Sequence, residues 1–224
     1  MIDIFTCITA GYDDLKKQPI ARGVRYTAFV EGVTLPRPPW TQLPVVSDAS
    51  PDPTRRSRQM KVLAHESCPQ AEYSLWIDGC FRIEQSFFTS ALQRWLGLIP
   101  EGGPELLTFQ HTEHDCTYEH AKRILEVGTD AERVVEAQMQ RYRSHGLPAH
   151  AGMVQTNVIL RRHTQAVRDF NERWWLVIRN GSRRDQLSFV YAARETGLRY
   201  AALPPEERQY FKGMSHRGTR MVVT

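Results

Sequence analysis

The chain has 224 residues, 41% of them hydrophobic and 24% charged, which is an ordinary balance for a soluble globular protein. This length fits one large α/β domain, or at most two small ones, with a core that needs no disulfide or metal to hold it together. The formal net charge of +4 favours an anionic ligand such as a nucleotide, and the dispersed Lys and Arg residues argue against nucleic-acid binding.

The cysteines and the N-terminus indicate a cytoplasmic protein. The cysteines (Cys7, Cys68, Cys80 and Cys116) are irregularly spaced and form no C-x-x-C motif, which favours reduced thiols and leaves one disulfide as the alternative. The first residues read as a strand and not as a signal peptide. No apolar run approaches about 18 residues, so we expect no transmembrane segment, and any membrane contact would be peripheral.

Predicted strands and helices alternate along the chain. The strands are predicted at residues 2–9, 25–30, 40–46, 73–77, 105–109 and 153–160. The helices are predicted at residues 54–65, 84–96, 117–127, 131–144 (with Asp130 as N-cap), 164–178 and 184–195. This alternation predicts an α/β fold with a mostly parallel central sheet flanked by helices. Because no repeat or linker divides the chain, we expect a single domain over residues 1–224, with the basic tail at 203–224 extended and packed over the site.

The segment at 73–80, Tyr-Ser-Leu-Trp-Ile-Asp-Gly-Cys, is the centre of this pattern. Its apolar run predicts a strand buried on both faces, which ends at Asp78. Ligands of open α/β sheets bind at the carboxyl ends of strands, where a carboxylate can hold a divalent cation and the cation a diphosphate. The alternative is that Asp78 opens a turn before Gly79 or caps the helix near Glu84.

A second polar group opens the predicted helix at 184–195. Arg183, Arg184, Asp185 and Gln186 follow one another there, and a helix N-terminus attracts anions. The alternative is a well-capped helix, with Ser182 as the cap and Asp185 as a favourable first-turn acid.

Two basic residues and one amide add to these signals. Arg58 and Lys61 lie three residues apart and share one face of their predicted helix. Asn157 lies in the middle of an apolar strand, where a buried amide needs partners. It therefore either ties two loops together or reaches a ligand.

Several common motifs are missing from the sequence. There is no G-x-G-x-x-G, no Walker A loop and no G-x-S-x-G, which weakens a Rossmann oxidoreductase, a P-loop ATPase and an α/β-hydrolase. His111, His114, His120 and Cys116 are possible metal ligands, but their spacing matches no standard zinc pattern. We therefore interpret them as polar residues of a loop and a helix start.

Taken in order, several segments resemble a GT-A-type glycosyltransferase family (TOD1/MUCI70-like) that was long catalogued as a domain of unknown function and is found in bacteria and plants. The resemblance also extends, more distantly, to glycogenin-like glycosyltransferases. The matching segments lie between residues 3 and 195 and are residues 11–13, 55–61 with His65, 73–79, 115–119, 138–148, 157–163, and 174–175 followed by 184–189. No single segment is specific to this family, whereas the occurrence of all of them in the same order is.

The resemblance implies a single GT-A-like (nucleotide-diphospho-sugar transferase) domain that moves a sugar from a nucleotide-diphosphate donor such as UDP-sugar to a hydroxyl of a glycan or glycoconjugate. Asp78 and His216 would hold Mn²⁺ or Mg²⁺, and Asp185 would be the catalytic acid residue, as base or as electrostatic support. The donor would be bound by Tyr12 on the base, Asp13 on the base or ribose, Arg58 and Lys61 on the phosphates, Asn157 and Gln186 on sugar hydroxyls, and the adjacent Gly79 and Arg184.

One departure from the family pattern keeps alternatives open. GT-A enzymes usually carry a second acid two residues after the first, and here that position is Cys80, whose soft thiol suits Mg²⁺ or Mn²⁺ poorly. The cation is then held by Asp78, His216 and water, or it is absent and replaced by Lys and Arg. The rival functions are an inactive nucleotide-sugar or glycan-binding protein, and a nucleotidyltransferase, whose usual glycine-rich first loop is missing.

Overall fold

The computed structural model describes residues 2–32, 37–47 and 50–214 of the chain. The strands are β1 Ile2–Ile8, β2 Val24–Val30, β3 Thr41–Pro44, β4 Tyr73–Ile77, β5 Phe81–Ile83, β6 Leu106–Gln110, β7 Val154–Arg162, β8 Tyr200–Leu203 and β9 Phe211–Gly213. The α-helices are α1 Pro53–Val62, α2 Ala64–Ser67, α3 Leu92–Gly97, α4 Thr117–Val127, α5 Glu132–Ser144, α6 Gln165–Asn180 and α7 Gln186–Thr196. A π-helical turn at Phe87–Ala91 and a 3₁₀-helix at Pro205–Tyr210 complete the elements.

The predicted α/β fold class is confirmed. One seven-stranded sheet runs in the order β3-β2-β1-β4-β7-β6-β8. Its neighbouring strands are parallel except where β7 pairs with β4 and with β6. The sheet is therefore mostly parallel, as predicted, with one antiparallel strand, β7, between β4 and β6. Among the described residues, no helix is long and apolar enough to cross a membrane.

The central strand β4 lies between β1 and β7, and its residues from Ser74 to Ile77 are buried. Both faces of the sheet are covered, which explains why this strand is a continuous apolar run and does not alternate. On one face, Trp76 packs edge-on against Phe5 with their ring centroids 5.2 Å apart. On the other face, Leu75 and Ile77 belong to a separate apolar cluster.

Helices cover the two faces of the sheet unequally. The face with Phe5 and Trp76 packs against a cluster of residues from α1, α4, α5, α6 and α7. The opposite face packs against the π-helical turn, α3 and β9, with Phe87, Trp95 and Phe211 in mutual ring contact. The site-forming helices α1 and α7 therefore lie on the same side of the sheet.

Two expectations about local structure are wrong in part. The helix predicted at 84–96 is helical from residue 85 to residue 97, but it contains the π-helical turn Phe87–Ala91 and is not a regular α-helix. Glu84 lies before the helix, where its N–H donates to the Tyr210 carbonyl. The tail from residue 203 is not extended throughout. It contains a 3₁₀-helix that begins with Pro205, and then β9, whose Phe211 is buried among aromatic rings.

Candidate active site

A cleft of about 410 Å³ opens at the edge of the sheet where β1 and β4 end. It is flanked by the start of α1 and by Arg184, which precedes Asp185, the N-cap of α7. Its lining includes Tyr12, Asp13, Arg58, Asp78, Gly79 and Arg184 from the predicted donor and metal residues, together with Cys7, Thr54, Ser57, Trp76 and Cys80. This is the edge at which open α/β sheets bind their ligands.

The start of α1 is fixed by its cap. Asp52 accepts a hydrogen bond from the Thr54 backbone N–H through Oδ1 at 2.9 Å, and Pro53 occupies the first helical position. Arg58 and Lys61 then follow one turn apart on the face directed at the sheet edge. Lys61 lies in the last turn of α1, where a cation is favourable, and its side chain is only 1% exposed.

Four side chains form a buried polar network behind the cleft. Lys61 Nζ lies 2.6 Å from Asp185 Oδ2, and the Thr156 hydroxyl donates to the same oxygen at 2.7 Å. Arg58 Nε lies 3.1 Å from Asp185 Oδ1, without the alignment of a hydrogen bond, so this contact is mainly coulombic. Asp185 is held from the other side by Trp174, whose indole N–H donates to the Asp185 backbone carbonyl.

This network fixes the ionisation of Asp185. Burial alone would raise the pKa of this carboxyl, but Arg58, Lys61 and the hydrogen bond from Thr156 hold it well below its usual range. Burial lowers the pKa of Lys61, while Asp185 and Asp78 oppose that effect. Asp185 therefore stays ionised at neutral pH, anchors two cations and is a very weak proton acceptor.

Asp78 lies where β4 ends, and its side chain is 32% exposed. Its Oδ1 accepts a hydrogen bond from the Trp76 indole N–H at 2.7 Å and lies 3.5 Å from Lys61 Nζ. Its backbone N–H donates to the Asn157 carbonyl, which extends the pairing of β4 with β7. One carboxylate oxygen of Asp78 is thus held by the Trp76 N–H and the Lys61 ammonium, and the Asp78 side chain remains at the surface of the cleft.

The loop after β1 carries the other predicted donor residues. Gly11 takes a positive φ of 62°, and the Tyr12 ring that follows is 66% exposed beside the cleft. Asp13 is buried and accepts from Lys16 Nζ at 2.7 Å, so its carboxylate is already paired. In the turn after β4, a Cβ at Gly79 would lie 3.1 Å from Ile8 Cγ1, a tight contact that favours a glycine there.

Of the remaining predicted residues, Asn157 and Gln186 do not line the cleft, and His216 lies outside the described chain. Asn157 lies next to Asp78 through the backbone contact, and its side-chain Oδ1 is buried without a hydrogen-bond partner among the described residues. Gln186 is the first residue of α7. His216, the second predicted metal ligand, lies outside the described residues, as does the rest of the tail from residue 215.

Two residues of this site were missed from the sequence. Trp76 precedes Asp78 by two positions and so shares its face of the strand, a signal that the sequence does contain. Thr156 is the β7 residue that reaches Asp185, whereas the sequence pointed to its neighbour Asn157. No sequence signal distinguishes these two, because which face of β7 meets α7 is decided by packing.

Asp78 is the candidate hard oxygen ligand at this strand end, because Asp13, the other carboxylate of the cleft lining, is paired with Lys16. Burial and the nearby Asp78 and Asp13 raise the pKa of the Cys80 thiol to about 11, so this side chain stays protonated and is a poor ligand for Mg²⁺ or Mn²⁺. Within residues 2–32, 37–47 and 50–214, no set of three close ligand atoms includes Asp78. A single carboxylate fits Mg²⁺-type sites in which substrate phosphates and water complete the coordination, and does not fit a closed protein cage.

The sequence over residues 40–211 matches a family model described as TOD1/MUCI70, glycosyltransferase-like domain. The chain therefore belongs to the TOD1/MUCI70 glycosyltransferase-like family. The part that matches the TOD1/MUCI70 model carries Arg58, Lys61, Asp78 and Asp185, while Tyr12 lies before it. No curated protein matches the sequence.

Solved glycosyltransferases share the fold of this TOD1/MUCI70 family member. Mouse xyloside xylosyltransferase 1 in its apo form has a TM-score of 0.53 at 10% identity, covering 96% of this chain and 94% of that one. A glycosyltransferase involved in glycosylation of the major capsid of PBCV-1 has a TM-score of 0.51 at 11% identity, covering 91% and 82%. The bifunctional glycosyltransferase WbbM has a TM-score of 0.50 at 11% identity, covering 92% of this chain and 38% of its own.

Proposed function

We propose that this TOD1/MUCI70 family member transfers a sugar from a nucleotide-diphosphate donor to a hydroxyl group of a glycan or glycoconjugate. The observation that carries the proposal is the cleft at the ends of β1 and β4, where Asp78 lies beside a cationic network. In the reaction, the bond from the anomeric carbon to the leaving phosphate oxygen breaks and a bond to the acceptor oxygen forms. The acceptor hydroxyl gives up its proton to solvent, and the nucleoside diphosphate leaves with the electron pair of the broken bond.

The charges of the cleft support an anionic ligand. Asp13 is paired with Lys16, and Asp78 with Lys61. The Arg184 guanidinium lines the cleft and makes no ion pair with the described part of the chain. In the proposal, Arg184 binds the donor diphosphate, because an arginine offers several N–H donors in a fork that matches phosphate oxygens.

The other cleft residues take roles that follow from their positions. The exposed Tyr12 ring stacks on the nucleotide base, and the buried Asp13 orients the base or the ribose next to it. Gly79 lets the donor approach the backbone closely at the end of β4. Asn157, whose Oδ1 has no hydrogen-bond partner among the described residues, and Gln186 at the start of α7 are the candidates for hydroxyls of the transferred sugar, although neither lines the cleft.

Asp185 acts in this proposal through other residues and not as the base. Its pKa is held well below the usual range, so it would accept a proton from a sugar hydroxyl very poorly. It fixes Lys61 and Arg58, and Lys61 in turn fixes one oxygen of Asp78. Lys61 itself is too buried to touch the donor, whereas Arg58 lines the cleft and can reach a phosphate.

Mn²⁺ or Mg²⁺ is part of the proposal as a cation that binds together with the donor. Asp78 would supply the protein oxygen, with His216 of the tail as a second candidate ligand. Such a cation would neutralise charge that develops on the departing diphosphate. Because no set of three close ligand atoms among the described residues includes Asp78, we expect weak binding of the cation alone and much tighter binding once a nucleoside diphosphate is present.

Release of nucleoside diphosphate from a panel of nucleotide sugars, with Mn²⁺ or Mg²⁺ and candidate glycan acceptors, tests the proposal. We expect release with at least one donor, and Asp78→Asn to lower it by about 100-fold or more. The matched control is Asp169→Asn, which removes an exposed carboxylate of α6 and should leave turnover unchanged. Both variants should melt as cooperatively as the wild type.

Two other outcomes would contradict sugar transfer. Release of pyrophosphate in place of nucleoside diphosphate would support a nucleotidyltransferase. Binding of nucleotide sugars without turnover under all conditions would support an inactive nucleotide-sugar-binding or glycan-binding protein, the function that Cys80 in place of a second acid favours. A single domain over residues 1–224, with its tail over the cleft and a cytoplasmic location, stays a prediction.

A further inference from the structure

A second group of metal-ligating side chains lies outside the cleft. Cys116, Glu119 and His150 each offer one ligand atom, and these atoms lie within 4.8 Å of one another. The group brings together the start of α4 and the segment between α5 and β7. It does not include the histidines at 111, 114 and 120, whose rings contact one another without bringing three nitrogens to this spacing.

The start of α4 places the first two of these side chains side by side. Cys116 is the N-cap of α4, with an extended backbone, and its carbonyl accepts the first helical hydrogen bond, from His120 N–H. Its side chain makes no capping hydrogen bond, so the sulfur is not used by the helix. Glu119 follows three residues later in the first turn, which is the spacing at which a side chain reaches back to the cap.

His150 is held in place from the other segment. Its Nδ1 lies 2.7 Å from Asp115 Oδ1, and its backbone takes a positive φ of 54°, which is uncommon for a residue with a side chain. The Gly152 N–H donates to the Asp115 carbonyl, so the two segments are also joined through their backbones. A carboxylate that hydrogen-bonds one imidazole nitrogen is the usual support of a metal-ligating histidine.

We propose that Cys116, Glu119 and His150 bind a divalent transition metal of the zinc class, with Asp115 as the residue that positions His150. A thiolate, an imidazole and a carboxylate together are typical ligands of zinc and cobalt. The Cys116 thiol gives up its proton to solvent when the metal binds. Three protein ligands leave a fourth position for water.

This site and the cleft would select different metals. Asp78 offers only oxygen to a cation, which suits Mg²⁺ or Mn²⁺, whereas the sulfur of Cys116 suits a softer ion. The proposed site would also fix the chain just before β7, because His150 lies four residues before Val154. β7 carries Thr156 of the buried network, so the metal would stabilise the strand that supports Asp185.

Titration of the purified full-length protein with Co²⁺ tests the proposal, because thiolate ligation to cobalt gives a charge-transfer absorption band. We expect one equivalent of Co²⁺ to produce this band, and Zn²⁺ to bleach it and to raise the melting temperature. Cys116→Ser should abolish the band. Asp115→Asn should weaken metal affinity by roughly 10–100-fold, as loss of a supporting carboxylate does elsewhere.

Two further variants distinguish binding at Cys116 from binding at the cleft thiol. His150→Ala changes an exposed residue, so it should keep the fold and still weaken Co²⁺ binding. Cys80→Ser removes the half-buried thiol of the cleft and should keep the full band. The proposal is overturned if the wild type shows no thiolate band, or if Cys116→Ser keeps it.

Discussion

The buried pair of Lys61 and Asp185 allows a quantitative prediction. The ammonium is 1% exposed and lies 2.6 Å from the carboxylate, a distance at which the attraction is about 6 kcal/mol at an effective dielectric constant of about 20. Taking both charges out of water costs several kcal/mol per ion, so the pair adds little net stability. Removing one partner alone should destabilise the protein, because the other charge stays buried and loses its nearest opposite charge.

Lys61→Met keeps the aliphatic stem and removes the charge. It leaves Asp185 with Arg58 and the Thr156 hydroxyl, and it leaves Asp78 with the Trp76 N–H. We expect this variant to lose about 3–5 kcal/mol of the free energy of unfolding. For a chain of this length that loss lowers the melting temperature by roughly 6–20 °C.

Urea denaturation followed by tryptophan fluorescence measures this loss, and a double-mutant cycle isolates the pair. Because Lys61→Met and Asp185→Asn together remove one positive and one negative charge, the double variant should be more stable than the sum of the single losses predicts. We expect an interaction energy of roughly 0.5–3 kcal/mol. The exposed Asp169→Asn variant should stay within about 0.5 kcal/mol of the wild type.

Either of two results would refute a buried, interacting pair. A loss below about 1 kcal/mol in Lys61→Met would mean that the ammonium is hydrated in solution and not buried against Asp185. Strict additivity in the double variant would mean that the two side chains do not interact.

Single ionisable groups give three more predictions. The free energy of unfolding should decrease as the pH drops below about 4, because the pKa of Asp185 is lower in the folded state than in the unfolded state, where it is about 3.9. In Asp185→Asn, the slope of the free energy of unfolding against pH should be smaller by up to about 1.4 kcal/mol per pH unit. An unchanged slope in urea titrations would contradict the assignment. Arg161 is fully buried, its guanidinium has no hydrogen-bond partner in the described chain, and burial lowers its pKa to about 9. Arg161→Met should therefore leave the free energy of unfolding unchanged or raise it by about 1–4 kcal/mol, whereas a loss would indicate a buried partner such as water. Arg184→Gln should raise the donor KM more than it lowers kcat, and equal values of kcat/KM in variant and wild type would remove Arg184 from the donor site.

Much of the fold could be predicted because its signals are local. Apolar runs indicated the sheet strands β1, β2, β4, β6 and β7 nearly to their ends, and helical periodicity indicated α4, α5 and α6. The pairing of β5 with β9 could not be predicted, because it joins segments about 130 residues apart and each is only three residues long. The π-helical turn could not be predicted for a related reason, since it depends on how aromatic rings pack and not on sequence period.

The site was predictable in outline and not in its contacts. Asp78 was predicted from its position at a strand end, and Lys61 from its position on a helix face. Nothing in the sequence shows that Lys61 is too buried to touch a ligand. Asp130 was expected to cap α5, and it instead accepts hydrogen bonds from Ser182 Oγ and Arg183 N–H in the turn before α7. Tertiary packing overrides local preference in both cases.

The most direct measurement of nucleotide-sugar binding at the cleft is a crystal structure of the protein with a nucleoside diphosphate and Mn²⁺. We expect the base against Tyr12, the diphosphate beside Arg184, and the cation bound to Asp78 and to phosphate oxygens. Density for the nucleotide anywhere else, or a diphosphate out of reach of both Arg184 and Asp78, would contradict sugar transfer at this cleft.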